Sequence, residues 1–298
     1  MRDLLRALTP DFLLSIYRKY KKEKVRQTLA NKAKKGDIIT TKVLIDQLKA
    51  IGIKQGDSVL VHSAMSRLGY LENGPRTLID ALLEVIGTNG NILMPTSPNP
   101  ALQLDYVRQH PHFDARNDPS AMGAITEYFR KMPNTVRSLS PTEPVSAYGP
   151  LSVWLTEGHR GRPTPYDSYS PFYRLTEVGG KILYVGVTLA QAGTSLHLLE
   201  DAVDDFPYPV YYSQEFNVKV TDLKGDTYIH RIKVHNPVQS AKRQCDALIP
   251  MFVEKSVMQR VQLGEAPTLL TDAAGMFRVM MEAFKTKGIT MYTPYGRA

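Results

Sequence analysis

Cysteine is nearly absent from this 298-residue chain. The lone Cys245 excludes an internal disulfide and suits a reducing, cytoplasmic location. No apolar run approaches the about 18 residues that a transmembrane helix needs, so none is expected. The opening Met-Arg-Asp-Leu-Leu-Arg has neither an apolar core nor a small-residue cleavage site, so no secretory signal is expected. Four common signatures are missing: the Walker loop, G-x-G-x-x-G, the G-x-S-x-G elbow and H-E-x-x-H. The seven histidines fall at no zinc-ligand spacing, and no metal is expected. Basic surplus is also scarce beyond the first 37 residues. That segment holds 11 Lys+Arg against four acids, a net +7 of the chain's +8, while the remainder holds 26 against 25. A body so nearly neutral lacks the basic face of a nucleic-acid binder, and no nucleic-acid partner is expected.

What is present begins with that arm, residues 1–37, which reads as a helix. Thr9 suits the N-cap and Pro10 the first helical position, while Phe12, Leu13, Ile16, Tyr17 and Tyr20 recur at helical spacing. Gly36 closes the run, and Arg18, Lys19, Lys21, Lys22 and Lys24 make its second half cationic. Two readings stay open: a solvated helix packed on its own domain or on a second copy, and an interfacial helix drawn to anionic lipid at the inner membrane face.

Residues 38–298 read as one domain of α/β class. Thr40 or Thr41 caps a helix through Ile51, Ser58–His62 is an apolar strand, Pro75–Ile86 a helix and Asn91–Met94 a second strand. Strand, helix, strand with glycine stops predicts a parallel sheet flanked by helices. Lys181–Gly186 repeats the strand signal, and a helix follows from about Thr194, its cap, to Val203. Alternation over Phe216–Thr221 and Tyr228–Val234, around Lys224-Gly225-Asp226, predicts an antiparallel hairpin added near the C-terminus. A closing helix covers Phe277–Phe284.

Three clusters could carry chemistry. Ser63-Ala64-Met65-Ser66-Arg67-Leu68-Gly69 follows a strand end, where α/β proteins bind ligands; the plain alternative is a connecting loop. Asp118 to Gly123 reads as the start of a helix to about Lys131, with Asp118 or Ser120 as cap. Arg137 and Ser138 lie beyond it and could clamp a phosphate. His197 and Glu200 stand three apart on one helical face, so the carboxylate can orient the imidazole as a general base. A satisfied histidine beside a surface glutamate fits the same spacing.

The order of these clusters resembles the aminoglycoside 3-N-acetyltransferase family. The matching stretches are VHSAMSRLGYLENGPRTLIDALLEVIGTNGNILMPT, FDARNDPSAMGAITEYFRKMPNTVRS, SPFYRL, ILYVGVTLAQAGTSLHLLE and, more faintly, LGEAPTLLTDAAGM. Ser140 stands where the family often has a histidine. The resemblance implies that family's α/β fold, acetyl-CoA as the only cofactor, and acetyl transfer to an amine, with His197 as base and Glu200 as its companion. It further implies coenzyme A contacts at Ser63, Ser66 and their loop with Arg67, at Met122 and Gly123, and at Arg137 and Ser138. Asp201, Asp204 and Asp205, grouped with Glu200, are the expected acceptor carboxylates. The near-neutral body and the basic arm favour an amino sugar of a bacterial surface polysaccharide as acceptor. An aminoglycoside antibiotic is the alternative, and a catalytically inactive CoA-binding scaffold is an alternative of another class.

Overall fold

The computed structural model describes residues 11–100 and 102–296. Apolar runs make the middle of its main sheet. Strands β2 (Ser58–Ser63), β4 (Asn91–Pro95) and β8 (Lys181–Val185) are parallel, in the order β8-β2-β4, and nearly all their side chains are buried. Such strands need cover on both faces, and strand alternation sorts their side chains between two cores. Leu60, Leu93, Ile182 and Tyr184 enter one; Val59, Val61, Ile92, Met94, Leu183 and Val185 enter the other.

Four antiparallel strands extend this centre: β6 (Val136–Arg137), β7 (Val145–Tyr148), β11 (Met258–Leu263) and β12 (Ala266–Asp272). The full order is β11-β12-β8-β2-β4-β7-β6. The expected hairpin forms from β9 (Phe216–Thr221) and β10 (Thr227–Ile232), but it does not join the main sheet. It pairs instead with β5 (His112–Asp114), parallel to β9, over a third small core around Phe113, Val218 and Val220. The hairpin that does extend the main sheet is β11–β12, whose mostly exposed outer strand hides its period.

The arm helix α1 spans Asp11–Lys35 and stops at Gly36, whose φ of 81° suits glycine. Thr9 and Pro10 lie outside the described residues. Strands β1 (Ile38–Ile39) and β3 (Tyr70–Leu71) pair just beyond α1, and Lys32 reaches Glu265 at 2.5 Å, so α1 rests on the body. Helices α2 (Thr41–Ala50) and α3 (Pro75–Ile86) start where expected, with Thr40 Oγ1 accepting from the Val43 N–H.

Two helix starts differ from expectation. Helix α4 begins at Ala124 and runs to Arg130, with Gly123 at φ 116° before it and no side-chain cap. Ser120 Oγ is taken by Thr126 Oγ1 at 2.8 Å, and Asp118 accepts from the Asp114 N–H, so neither caps the helix. The segment after β8 breaks into three turns: Leu189–Ala192, a tight turn Thr194–His197, and α5 (Leu198–Ala202). The cap there is the reciprocal Thr188–Gln191 box, not Thr194. The closing helix α6 spans Ala273–Lys287.

Candidate active site

His197 ends the tight turn and Glu200 sits one turn later in α5, so both side chains share a face. His197 Nδ1 lies 2.7 Å from Glu200 Oε2, and Tyr292 donates its hydroxyl to Glu200 Oε1 at 2.6 Å. Burial would push Glu200 up, but His197 and His235 beside it hold the carboxyl well below the usual range. An ionised carboxylate only accepts, so Nδ1 carries the proton and Nε2 keeps its lone pair. Burial pushes His197 down to about 3, against the opposite pull of Glu200, so the ring is a neutral base at neutral pH.

His235 brings Nε2 to 3.4 Å from the same Glu200 oxygen, and Tyr166 packs its ring 4.7 Å from His197. Donor atoms of His197, Glu200 and His235 all lie within 4.8 Å, a grouping that sequence spacing could not reveal. Two ligands of one zinc ion stand well over 3 Å apart, at about 2.0–2.2 Å from the metal each. The 2.7 Å between His197 and Glu200 is instead the length of a hydrogen bond to a carboxylate.

His197 opens onto a cleft of about 500 Å³ that Gln103, Glu143, Tyr166, Thr194, His235 and Arg243 also line. Burial pushes Glu143 up to about 7, while Gln103 donates to it at 2.9 Å and Arg243 pulls the other way. Gln103 Oε1 in turn accepts the His235 N–H at 3.0 Å. Cys245 reaches this wall as well, but burial pushes its thiol up to about 11, so it stays protonated and a poor nucleophile. Sequence reasoning missed Gln103, Glu143, Tyr166, His235 and Arg243. None sits in a motif, and each arrives from a different segment.

The expected acceptor carboxylates are not in the cleft wall. Helix α5 ends at Ala202, which leaves Asp204 and Asp205 exposed in the turn beyond. Asp201 sits behind the site, where burial pushes it up to about 6 and Tyr211 donates to it at 2.5 Å. Glu143 is the carboxyl that the cleft presents.

A second groove, of about 530 Å³, brings Ser63 and Ser66 together with Met122 and Gly123, although the two pairs lie at least 56 residues apart. The Ser63 Oγ is buried there without a partner. Lys21 and Val25 of α1 form part of its lining. Between groove and cleft, His62 Nε2 meets Thr194 Oγ1 at 3.3 Å.

Two expected cofactor contacts are placed differently. Arg137 is 3% exposed, and its guanidinium donates to the carbonyls of Ala115, Asp118 and Thr96. Ser138 Oγ is spent on His159 Nδ1 at 2.8 Å and on the Val145 N–H. Both are buried braces with no face for a phosphate. Arg67 is exposed, outside the groove lining, and its stem lies over Gly186, where an added Cβ would meet it at 2.7 Å.

The family model described as aminoglycoside 3-N-acetyltransferase matches residues 60–285. Aminoglycoside N(3)-acetyltransferase VIII of Streptomyces fradiae is 27% identical over 271 residues, covering 85% of this chain and 94% of the relative. Aminoglycoside N(3)-acetyltransferase VII of Streptomyces paromomycinus is 32% identical over 182 residues, or 57% of this chain. That match spans 62% of the relative's length, less than two thirds. The solved structure of AAC-IIIb, binary with CoASH, is similar at a TM-score of 0.70 and 26% identity, covering 83% of this chain and 97% of that one.

Proposed function

Since the chain belongs to the aminoglycoside 3-N-acetyltransferase family, we propose that it moves the acetyl group of acetyl-CoA onto an amino nitrogen of an aminoglycoside. It is an acyltransferase with acetyl-CoA as co-substrate. The observation that carries the reading is the neutral His197 held by ionised Glu200 at the wall of an open cleft.

An alkyl amine is largely protonated at neutral pH and must lose a proton to attack a thioester. The ammonium first releases one proton to solvent; as the neutral nitrogen bonds to the thioester carbon, His197 Nε2 takes a second, and the resulting imidazolium is stabilised by Glu200. Collapse of the tetrahedral intermediate breaks the carbon–sulfur bond. The CoA thiolate leaves and takes the proton back from His197. Cys245, protonated and buried, takes no part, so transfer is direct. Coenzyme A lies along the Ser63–Ser66 loop and Met122–Gly123; the shared position of these residues on one groove supports that placement.

The names of the relatives support an aminoglycoside over the surface-polysaccharide amino sugar that the sequence favoured. One feature of the cleft favours a second acceptor. Arg243 lines it together with Glu143, and a guanidinium there suits an acceptor bearing a phosphate, such as a nucleotide-linked amino sugar. The test is thiol release from acetyl-CoA with a panel of aminoglycosides, free amino sugars and nucleotide-linked amino sugars, each product weighed by mass spectrometry. Acetylation of an aminoglycoside amine is expected. CoA binding with no acetyl transfer to any of these amines would remove the reading and leave the scaffold alternative.

Acetyl-CoA as donor suits a cytoplasmic location. Among the described residues no helix is long and apolar enough to cross a membrane. On α1, Leu13, Ile16, Tyr17 and Tyr20 are exposed beside Lys19 and Lys24, a pattern that supports peripheral contact with anionic lipid.

A further inference from the structure

We infer that the basic helix α1, which precedes the family match, completes the acetyl-CoA site, with Lys21 donating to a phosphate of the bound cofactor. The inference rests on the reading that coenzyme A occupies the Ser63–Ser66 groove. That groove has a charge problem. Apart from Lys21, every described residue in its lining is uncharged: Val25, Ser63 to Ser66 and Ala121 to Ile125. Of the two arginines nearest in sequence, Arg137 is buried against carbonyls and Arg67 lies outside the lining. Coenzyme A carries a diphosphate and a further phosphate, and an apolar channel suits only its pantetheine arm. Lys21 of α1 brings an ammonium to that lining.

The helix is placed to supply it. Lys21 and Val25 are four residues apart and turn one face to the groove. The same face continues to Lys32, eleven residues on, which pairs with Glu265 and anchors α1 to the body. Tyr17, one turn before Lys21, has its ring centroid 5.1 Å from the Lys21 Nζ and limits where that ammonium can go. The partnerless Ser63 hydroxyl offers a second donor to the same ligand from the opposite wall.

The test uses the full chain with Lys21→Ala, Lys21→Arg and, as a charge control at the exposed end of α1, Lys35→Ala. Lys21→Ala is expected to raise the KM for acetyl-CoA and the Kd for CoA about tenfold while kcat at saturation holds, because a lost charge-assisted hydrogen bond acts on binding. Lys21→Arg should restore most of this, and Lys35→Ala should match the parent chain. Acetylpantetheine, which has the thioester and no phosphate, should be used equally by all four proteins; a packing defect would slow it too. Unchanged CoA affinity in Lys21→Ala overturns the inference and leaves the acetyltransferase reading intact. So does a loss confined to sedimentation with phosphatidylglycerol vesicles, which would assign the helix to a lipid surface. If the parent chain neither binds CoA nor uses acetyl-CoA, the acetyltransferase reading itself fails and takes the inference with it.

Discussion

His197 and Glu200 divide one task unequally. In the mechanism proposed above, the histidine meets the reacting proton, whereas the glutamate fixes the tautomer and offsets the charge that forms. His197→Ala should therefore lower kcat by about 10²–10⁴-fold with CoA affinity kept, and Glu200→Gln should cost less, as steady-state rates beside calorimetric CoA titration will read. Normal turnover in His197→Ala would remove it as the base. Glu143 sets a different pH dependence. Its folded pKa is raised to about 7, so the folded chain holds a proton that the unfolded chain releases near pH 4.3. Stability from this group is thus present below that lower value and declines as pH climbs towards 7. Affinity for a cationic acceptor moves the other way, rising as the carboxylate forms. Acceptor KM measured over about pH 6–8 should fall in the parent chain and stay flat in Glu143→Gln relative to it. At this scale the sequence was readable only where partners are near neighbours: His197 and Glu200 lie three apart, but Glu200 meets His235 and Tyr292 across 35 and 92 residues. Periodicity carries no trace of such meetings.

Elements were legible in proportion to how evenly they are buried. Strands β2, β4 and β8 announce themselves because both faces are covered, and α2 and α3 because glycine and threonine mark their ends. Strand β11 does not, since Gln259, Arg260 and Gln262 show solvent the face that a period would need. Short strands such as β6 are equally silent, and there the error had consequences. Arg137 lies in β6 and looked like a phosphate clamp, yet it ties three segments together through the carbonyls of Thr96, Ala115 and Asp118. Arg137→Ala should leave those carbonyls buried and unpaired, at a cost of about 3 kcal/mol or more. Urea unfolding should show the loss, while the KM for acetyl-CoA in the surviving folded fraction stays near that of the parent chain. A large KM change without a stability change would restore Arg137 to the cofactor.

Across the whole molecule, charge and chemistry are kept apart: the first 37 residues carry +7, and the family match begins at residue 60. Sequence reasoning took that separation as a boundary between arm and catalytic unit. The structure lays α1 against the body, one of the packings the sequence left open, with Lys32 on Glu265 and Lys21 at the groove. The meeting of Lys21 with the groove has no trace in the sequence, because the groove belongs to segments that meet only after folding. The cleft and the groove share no lining residue. With the donor in one and the acceptor in the other, as proposed above, neither reactant has to precede the other. Order of addition is then expected to be free: initial-rate plots should intersect, and an unreactive acceptor analogue should inhibit noncompetitively against acetyl-CoA. An obligatory donor-first sequence would make that inhibition uncompetitive. Free order also means that the enzyme can load whichever reactant is abundant and wait for the scarce one, so a transient pulse of acceptor is met by a population already charged with acetyl-CoA.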